Sequence, residues 1–242
     1  MMGKSASTDG LVLSDVSAGY GEMMVIERVS LALPPRSTLT VLGRNGAGKT
    51  TLLGTIMGRT QLHAGSISFG NRNISSLRIY QRAALGLALV PQEREIFRSL
   101  TVEENLTVGA TEGRWTLARV YDFFPSLARR RRSHGDQLSG GEQQMLAIGR
   151  ALMGNPTFLL MDEPLEGLAP VIVDQVLGRL EQLKHEEDLA MILVEQHAHL
   201  ALEFADHAIV LDRGVIVYDG PSRELAEAPK LMSDLLGVAR TA

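Results

Sequence analysis

The stretch Gly43-Arg44-Asn45-Gly46-Ala47-Gly48-Lys49-Thr50-Thr51 decides the fold of this chain. It matches the phosphate-binding loop pattern G-x-x-x-x-G-K-[ST], in which glycines allow backbone N–H groups to turn towards a polyphosphate. Lys49 is placed to reach the terminal phosphates, and the Thr50 hydroxyl is suited to ligate Mg²⁺. The pattern therefore predicts a site for the phosphates of a nucleotide.

The segments on either side of this loop support the prediction. Thr38–Leu42 is β-branched and apolar, which is typical of a buried strand, and Thr51–Met57 has the pattern of a helix. The N-terminal end of such a helix favours an anion, because its backbone N–H groups and its dipole point there. The alternative, a glycine-rich turn with a chance lysine, does not explain this strand–loop–helix order.

Composition indicates an ordinary globular protein. The 242 residues suit one sizeable domain, with 45% hydrophobic and 21% charged residues. The net charge of −4 gives no basic field, so no nucleic-acid partner is expected. Cysteine is absent, which excludes disulfides and thiolate metal sites. Residues 1–10 are small and polar and predict a disordered leader. No apolar run reaches the roughly 18 residues of a membrane helix, so any membrane role is expected through a partner.

The N-terminal region predicts two strands, Leu11–Ala18 and Met24–Leu33, separated by the turn Gly19–Glu22. Tyr20 lies in this turn. Its ring could stack on a nucleotide base, or it could be a surface tyrosine that packs on the strand. These residues alone favour the second interpretation.

A further strand is predicted at Ala64–Phe69, a helix at Ile74–Leu85 and a buried strand at Leu87–Val90. Gln92 follows the last of these. Since ligands of open α/β sheets bind at the carboxyl ends of strands, Gln92 could contact a phosphate or a metal-bound water.

The region from Leu100 to about Asp136 predicts only helices. Thr101 and Glu104 form a capping-box pattern at a helix start. The run Arg129–Arg132 could bind an anionic partner, although a solvated helix end is the favoured interpretation of an isolated charge run.

Leu138-Ser139-Gly140-Gly141-Glu142-Gln143 precedes an apolar helix. A Ser/Gly N-terminus with free N–H groups would form a second anion site, and an ordinary helix cap is the alternative. Two such sites in one chain raise the question of whether both bind one nucleotide or one serves a neighbouring molecule.

The apolar strand Phe158–Met161 ends in two carboxylates. Asp162 is placed to hold Mg²⁺ through water beside Thr50, as the second acidic element of phosphate-loop NTPases does. If the backbone stays extended, Glu163 points away from Asp162 and is free to act as the general base on water. The alternative is a carboxylate pair in the turn before Pro164.

The rest of the chain alternates between helices and strands, which predicts an α/β domain with parallel strands. The predicted elements are the helix Val171–His185, the strand Ala190–Val194, the helix Ala198–Phe204, the hairpin strands His207–Leu211 and Val215–Tyr218, and the helical tail Arg223–Leu236.

The phosphate loop, the Leu-Ser-Gly-Gly stretch and the strand that ends at Asp162–Glu163, in that order, resemble the nucleotide-binding subunit of ATP-binding cassette (ABC) transporters. The resemblance covers about Leu11–Tyr218. It implies one cassette domain over residues 11–242, with a RecA-like P-loop NTPase core, an antiparallel β piece and an α-helical subdomain inserted at about residues 74–153.

The resemblance also implies an ATPase that binds ATP and Mg²⁺, with two cassettes paired head to tail around the nucleotides. Glu163 and Gln196 would be catalytic, and Ser139, Gly140, Gly141 and Glu142 would contact the partner cassette's nucleotide. The implied metal set is Thr50, Gln92 and Asp162. The implied nucleotide set is Tyr20, now as the adenine-stacking residue, with Gly43, Arg44, Asn45, Gly46, Ala47, Gly48, Lys49, Thr50, Thr51 and Gln92.

The chain departs from the family pattern at two positions. Gln196 stands where the family has a histidine that contacts the γ-phosphate, and His197 follows it. Gln196 can donate a hydrogen bond but cannot carry a proton's charge, and it is the favoured candidate over His197. Ala169 stands where the loop after Glu163 has an aspartate, so communication across the dimer is expected to differ.

The motifs around Gly140–Leu152, Glu166–Pro170 and Val194–Gln196 resemble one branch, the cassettes of bacterial importers for branched-chain amino acids, with relatives for urea and short amides. The implied partners are a second cassette, identical or different, two transmembrane permease subunits and, indirectly, a periplasmic or extracellular solute-binding protein. The implied location is the cytoplasmic face of the inner (plasma) membrane, as a peripheral subunit. The alternatives are a soluble cassette ATPase and a regulatory nucleotide-binding module without useful hydrolysis.

Overall fold

The computed structural model describes residues 10–186 and 189–237. The leader predicted over residues 1–10 lies outside these residues except for Gly10.

The described chain alternates strands and helices. The strands are β1 Leu11–Tyr20, β2 Met23–Leu33, β3 Thr38–Gly43, β4 Gln61–Phe69, β5 Arg72–Asn73, β6 Leu87–Val90, β7 Phe158–Asp162, β8 Ala190–Val194, β9 His207–Asp212 and β10 Val215–Pro221. The helices are α1 Lys49–Met57, α2 Ile79–Ala84, α3 Val102–Thr107, α4 Leu117–Phe123, α5 Pro125–Arg129, α6 Gly140–Leu152, α7 Pro170–Glu186, α8 Ala198–Phe204, α9 Ser222–Ala226 and α10 Pro229–Leu236.

Two sheets carry the architecture. The six-stranded sheet has the order β10-β9-β3-β8-β7-β6, and all its neighbouring strands are parallel except β9 and β10. The four-stranded sheet has the order β2-β1-β4-β5 and is antiparallel. The predicted α/β fold with an antiparallel piece built mainly from the N-terminal strands is confirmed.

The six-stranded sheet separates two hydrophobic cores, because successive side chains of a strand point to opposite faces. In β7, Phe158 and Leu160 pack in the core that contains α1 and the antiparallel sheet. Leu159 and Met161 pack in the core that contains α6 and α7. Burial on both faces explains why the parallel strands read as continuous apolar runs in the sequence.

The loop between β3 and α1 is fixed by close packing. Gly48 has a φ of 105°, and a Cβ at this position would lie 2.9 Å from Cγ2 of Ile26. The other end of α1 is capped by the buried guanidinium of Arg82, which donates to the carbonyl oxygens of Thr55 and Ile56 at 2.8 and 2.7 Å. The packing at Gly48 thus constrains the start of α1, and the Arg82 hydrogen bonds hold its end.

Two elements begin three or more residues away from their predicted starts. The helix predicted at Ile74–Leu85 begins only at Ile79, because Asn73 Oδ1 accepts the Ser75 N–H at 2.9 Å and holds the chain in a turn. The strand predicted from Ala64 begins at Gln61, because Gln61 and Leu62 continue the pairing with β1.

Helices α3 to α6 follow one another between β6 and β7 without an intervening strand of either sheet among these described residues. The capping box at Thr101 and Glu104 is confirmed. The helical subdomain expected over about residues 74–153 stays a prediction, and that interval also contains β6, which belongs to the six-stranded sheet.

Candidate nucleotide-binding site

A cavity of about 300 Å³ lies at the carboxyl ends of the parallel strands. This position follows from the fold, since parallel strands end at the same edge of a sheet. The loop after β3, the segment after β6 and the loops after β7 and β8 all reach it. Its lining residues are Val25, Asn45, Gly46, Gly48, Lys49, Thr50, Thr51, Gln92, Glu163, Glu166 and Gln196.

The ammonium group of Lys49 is held inside the phosphate loop. Its Nζ donates to the carbonyl oxygens of Gly43 and Arg44 at 3.0 and 3.3 Å. The same nitrogen lies 3.6 Å from Oε1 of Glu163, and both side chains are nearly fully buried. A phosphate bound to this loop would therefore share the Lys49 charge with Glu163.

The side chain of Asp162, at the end of β7, is hydrogen-bonded to that of Thr50. Burial raises the pKa of the Asp162 carboxyl, and the hydrogen bond from Thr50 lowers it in part. The Oδ1 atom is buried and has no hydrogen-bond partner. An unpaired buried carboxylate oxygen beside a hydroxyl fits a hard cation such as Mg²⁺.

The residues present suit a cation that is shared with a phosphate. Across the described chain, no three His, Cys, Asp or Glu side chains are grouped to hold a metal ion by themselves. Mg²⁺ commonly binds through one or two protein ligands together with the phosphates of a substrate. Thr50 and Asp162 meet that requirement.

The backbone at Glu163 differs from the sequence expectation. Glu163 has a φ of 46°, so the extended conformation of β7 does not continue through it. Its N–H donates to the carbonyl oxygen of Val194 at 2.9 Å. The carboxylate nevertheless reaches the cavity, where Gln196 Nε2 donates to its Oε2 at 2.6 Å.

The structure distinguishes Gln196 from His197. Gln196 lines the cavity and contacts Glu163, whereas His197 occupies the position before the first turn of α8. Gln196 is therefore the residue that this geometry places beside the carboxylate.

The Gln92 amide contacts two carboxylates of the loop after β7. Its Nε2 donates to Oε2 of Glu166 at 2.6 Å and lies 3.4 Å from Oε2 of Glu163. Sequence reasoning missed Glu166 as a cavity residue. The available signal was its place three residues after Glu163, in the same loop.

Glu195 is a second residue that sequence reasoning missed. Its side chain is buried, with an exposed fraction of 2%. It accepts hydrogen bonds from the backbone N–H groups of Leu165 and Gln196. Burial raises the pKa of this carboxyl, and these two bonds oppose the rise. The signal was a charged residue directly after the fully apolar strand β8.

The Ser-Gly-Gly segment does not join this cavity. Ser139 caps α6: its N–H and its hydroxyl both donate to Oε2 of Glu142 at 2.9 Å. Gly140 and Gly141 form the first turn of α6. The exposed Ser139 and Gly140 thus form a helix N-terminus that is not part of this cavity's lining.

Tyr20 and Ala169 lie at the edges of the site. Tyr20 is the last residue of β1, pairs with Met23 and is 51% exposed, outside the cavity lining. Val25, two residues beyond Met23 on β2, does line the cavity. The carbonyl oxygen of Ala169 accepts the N–H groups of Ile172 and Val173 at the start of α7.

Arginines of the run Arg129–Arg132 lie against residues of their own chain. Arg130 donates to the carbonyl oxygen of Gln137 at 2.8 Å. Arg131 and Arg132 line a groove together with Glu103 and Glu104. This arrangement agrees with the favoured interpretation of a solvated helix end.

Comparison with known proteins shows which family the chain resembles. The family model described as ABC transporter matches residues 26–166. The high-affinity branched-chain amino acid transport ATP-binding protein BraG of Pseudomonas aeruginosa is 40% identical over 94% of this chain and 99% of its own length. The probable branched-chain amino acid transport ATP-binding protein LivF of Archaeoglobus fulgidus is 35% identical over 92% of this chain and 97% of its own.

Solved structures support the fold. The crystal structure of a nucleotide-free ATP-binding cassette from an ABC transporter aligns with a TM-score of 0.81 at 24% identity. The alignment covers 96% of this chain and all of the other.

Proposed function

The chain belongs to the ABC transporter family of ATP-binding proteins, and on this basis we propose that it is the ATP-hydrolysing subunit of an importer for branched-chain amino acids. The observation that carries the proposal is the meeting of Lys49, Glu163 and Gln196 in the cavity beside the phosphate loop. That cavity joins a cationic phosphate contact to a carboxylate that can accept a proton.

The residues divide the chemistry between them. The backbone of the loop and the Lys49 ammonium bind the phosphates of ATP. Glu163 accepts the proton of the attacking water, and the Gln196 amide holds the carboxylate that does so. Thr50 and Asp162 would hold Mg²⁺, with Gln92 beside them; the ion supplies charge neutralisation at the phosphates.

We infer that the site is completed by a second cassette. The exposed N-terminus of α6, with Ser139 and Gly140, presents N–H groups suited to an anion but does not line this chain's cavity. A head-to-tail dimer would bring Ser139, Gly140 and Gly141 onto the partner's nucleotide. Glu142 would keep its hydrogen bond to the Ser139 N–H and remain the capping residue of that helix. The Ser139 hydroxyl would exchange Glu142 for a phosphate of the partner's nucleotide.

ATP then acts as the link between the two cassettes, because its phosphates find all their donors only when both are present. Hydrolysis weakens the pairing, and the cycle of closure and release drives the membrane subunits. Tyr20 is proposed to stack on the adenine; it pairs with Met23, two residues before the cavity residue Val25.

The remaining partners follow from the family and the relatives. The chain works with a second cassette, identical or different, with two permease subunits and, through them, with a solute-binding protein outside the membrane. None of the helices within residues 10–186 and 189–237 has the length and apolar character needed to cross a bilayer. By analogy with the family, association at the cytoplasmic face is proposed to occur through the permeases.

The transported solute is assigned from similarity to the two relatives. Both BraG and LivF are described as branched-chain amino acid transport proteins, and they match this chain over nearly its whole length. Neither description names urea or short amides, so these solutes and a soluble role are not favoured.

The substitution Glu163→Gln tests the proposed chemistry. It keeps the size of the side chain and removes the proton acceptor, so turnover should fall by about 10²-fold or more, the usual scale for a general base. ATP binding should persist, because the phosphate loop is intact. The measurements are phosphate release by the assembled transporter and equilibrium binding of a fluorescent ATP analogue.

Glu203→Gln is the matched control, since Glu203 is an exposed residue of α8 that loses the same charge. It should hydrolyse ATP at the wild-type rate. Wild-type turnover by the Glu163→Gln assembly would contradict the role of Glu163.

A further inference from the structure

Glu163 belongs to a closed ring of hydrogen bonds at the ends of β7 and β8. Gln196 Nε2 donates to Oε2 of Glu163 at 2.6 Å. The backbone N–H of Gln196 donates to Oε2 of Glu195 at 3.2 Å. Oε1 of Glu195 accepts the N–H of Leu165 at 2.9 Å, and Leu165 leads back to Glu163 through the chain. The ring thus joins both loops that carry the proposed catalytic side chains.

Glu195 connects the loops after β7 and β8 beyond the last hydrogen bonds of the sheet. The ladder between β7 and β8 ends where Asp162 lies opposite Val194, with one further bond from the Glu163 N–H to the Val194 carbonyl. Beyond that point the carboxylate of Glu195 joins the two loops through the N–H of Leu165. Its position determines where Leu165 and Gln196 lie relative to each other.

The site of Glu195 is built for a carboxylate. The side chain is 2% exposed, so each of its oxygens needs a partner within the protein. Both partners are backbone N–H donors, which an ionised carboxylate can accept together. An amide would turn its NH₂ group towards one of these donors and lose that bond. Burial of a carboxyl group at such a cost calls for a reason in the reaction or in the loop geometry.

We propose that Glu195 is a positioning residue for ATP hydrolysis, which fixes the loops on either side of the cavity so that the Gln196 amide meets the Glu163 carboxylate. This inference rests on the role proposed above for Glu163. In this proposal Glu195 acts through its hydrogen bonds to the N–H groups of Leu165 and Gln196.

The first experiment compares Glu195→Gln with the control Glu203→Gln. Glu195→Gln keeps the volume and breaks one N–H bond, so the loops shift while the phosphate loop is unchanged. A misplacement of about 1 Å can cost about 10²-fold in rate, and kcat should fall by about tenfold to 10²-fold. The KM for ATP and the Kd of a fluorescent ATP analogue should stay within about twofold of wild type.

The second experiment asks whether Glu195 acts through Gln196. Gln196→Ala removes the amide that Glu195 positions, so adding Glu195→Gln to it should lower kcat by much less than the product of the two single effects. A residue that only stabilises the fold would give multiplicative effects. If Glu195→Gln does not fold, Glu195→Asp serves in its place, because it keeps both acceptors but withdraws them by one methylene group.

The outcomes separate this inference from the proposed function. Loss of activity in Glu163→Gln with wild-type kcat in Glu195→Gln would overturn the positioning role alone. Loss of ATP binding in Glu195→Gln, or multiplicative effects with Gln196→Ala, would also overturn it. Wild-type activity in Glu163→Gln would overturn the proposed function itself.

Discussion

Lys49 shows how the side chains of this site prepare it for ATP. Its ammonium group lies between two loop carbonyl oxygens and the carboxylate of Glu163, and its side chain is buried. A bound polyphosphate must replace these oxygen atoms as the partner of the Lys49 ammonium group. Binding of the phosphates would therefore weaken the contact between Lys49 and Glu163, the proposed base.

Lys49→Ala is predicted to weaken ATP binding by about tenfold or more, because a hydrogen bond to a charged group contributes about 1.5–3 kcal/mol. Titration of the nucleotide by calorimetry measures this directly. Lys230→Ala, which removes an exposed lysine in α10, is the control and should bind as the wild type does. Equal affinity of Lys49→Ala and wild type would contradict the assignment of the phosphate loop.

The site residues differ in how readily the sequence predicts them. Lys49, Thr50 and Asp162 belong to local patterns whose spacing reflects the chemistry of phosphate and Mg²⁺, so they could be named before the structure. Glu166 and Glu195 carry only weak signals in the sequence, because their contacts join loops that follow different strands. Glu163 was named correctly as a cavity residue, but its positive φ has no signature in the sequence.

At the level of secondary-structure elements, the N-terminus of α6 depends on close packing against α7. A Cβ at Gly141 would lie 2.5 Å from Cγ2 of Ile172, closer than two carbon atoms can approach. At Gly140 the nearest atom is Nη1 of Arg94 at 3.7 Å, which is an ordinary contact. The two glycines therefore serve different purposes: Gly141 permits helix packing, and Gly140 leaves the helix end open.

Gly141→Ala is predicted to lower the free energy of unfolding by about 1–3 kcal/mol, the usual cost of overpacking. Gly140→Ala should be close to neutral. Denaturant unfolding of both variants measures the difference. Adding Ile172→Ala to Gly141→Ala should recover part of the loss, since the added methyl group then meets open space. Equal stability of the two glycine variants would contradict this packing.

The elements themselves were largely predictable where apolar periodicity is strong. The strands Leu87–Val90 and Ala190–Val194 and the helix Ala198–Phe204 were predicted with their observed bounds. The start of α2 was not, because the turn at Asn73 and Ser75 depends on a side chain–backbone bond that periodicity does not detect. The extra residues of β4 were missed because their pairing with β1 is a tertiary contact.

At the scale of the whole molecule, the fold places two anion-binding helix ends in separate positions. The start of α1 lies at the cavity, whereas the start of α6 caps itself with Glu142 and stays outside it. In the proposed dimer, each chain would supply one half of two sites, one with the start of α1 and one with the start of α6. This division would be the physical basis for a cycle in which ATP joins two cassettes.

A structure of the Glu163→Gln assembly loaded with ATP tests this division most directly. Removal of the base should hold the dimer in its closed state. We predict that the Ser139 hydroxyl and the Gly141 N–H lie within hydrogen-bond distance of the γ-phosphate that the partner cassette's phosphate loop binds. An ATP-loaded assembly in which Ser139 and Gly141 are remote from every nucleotide would contradict the account.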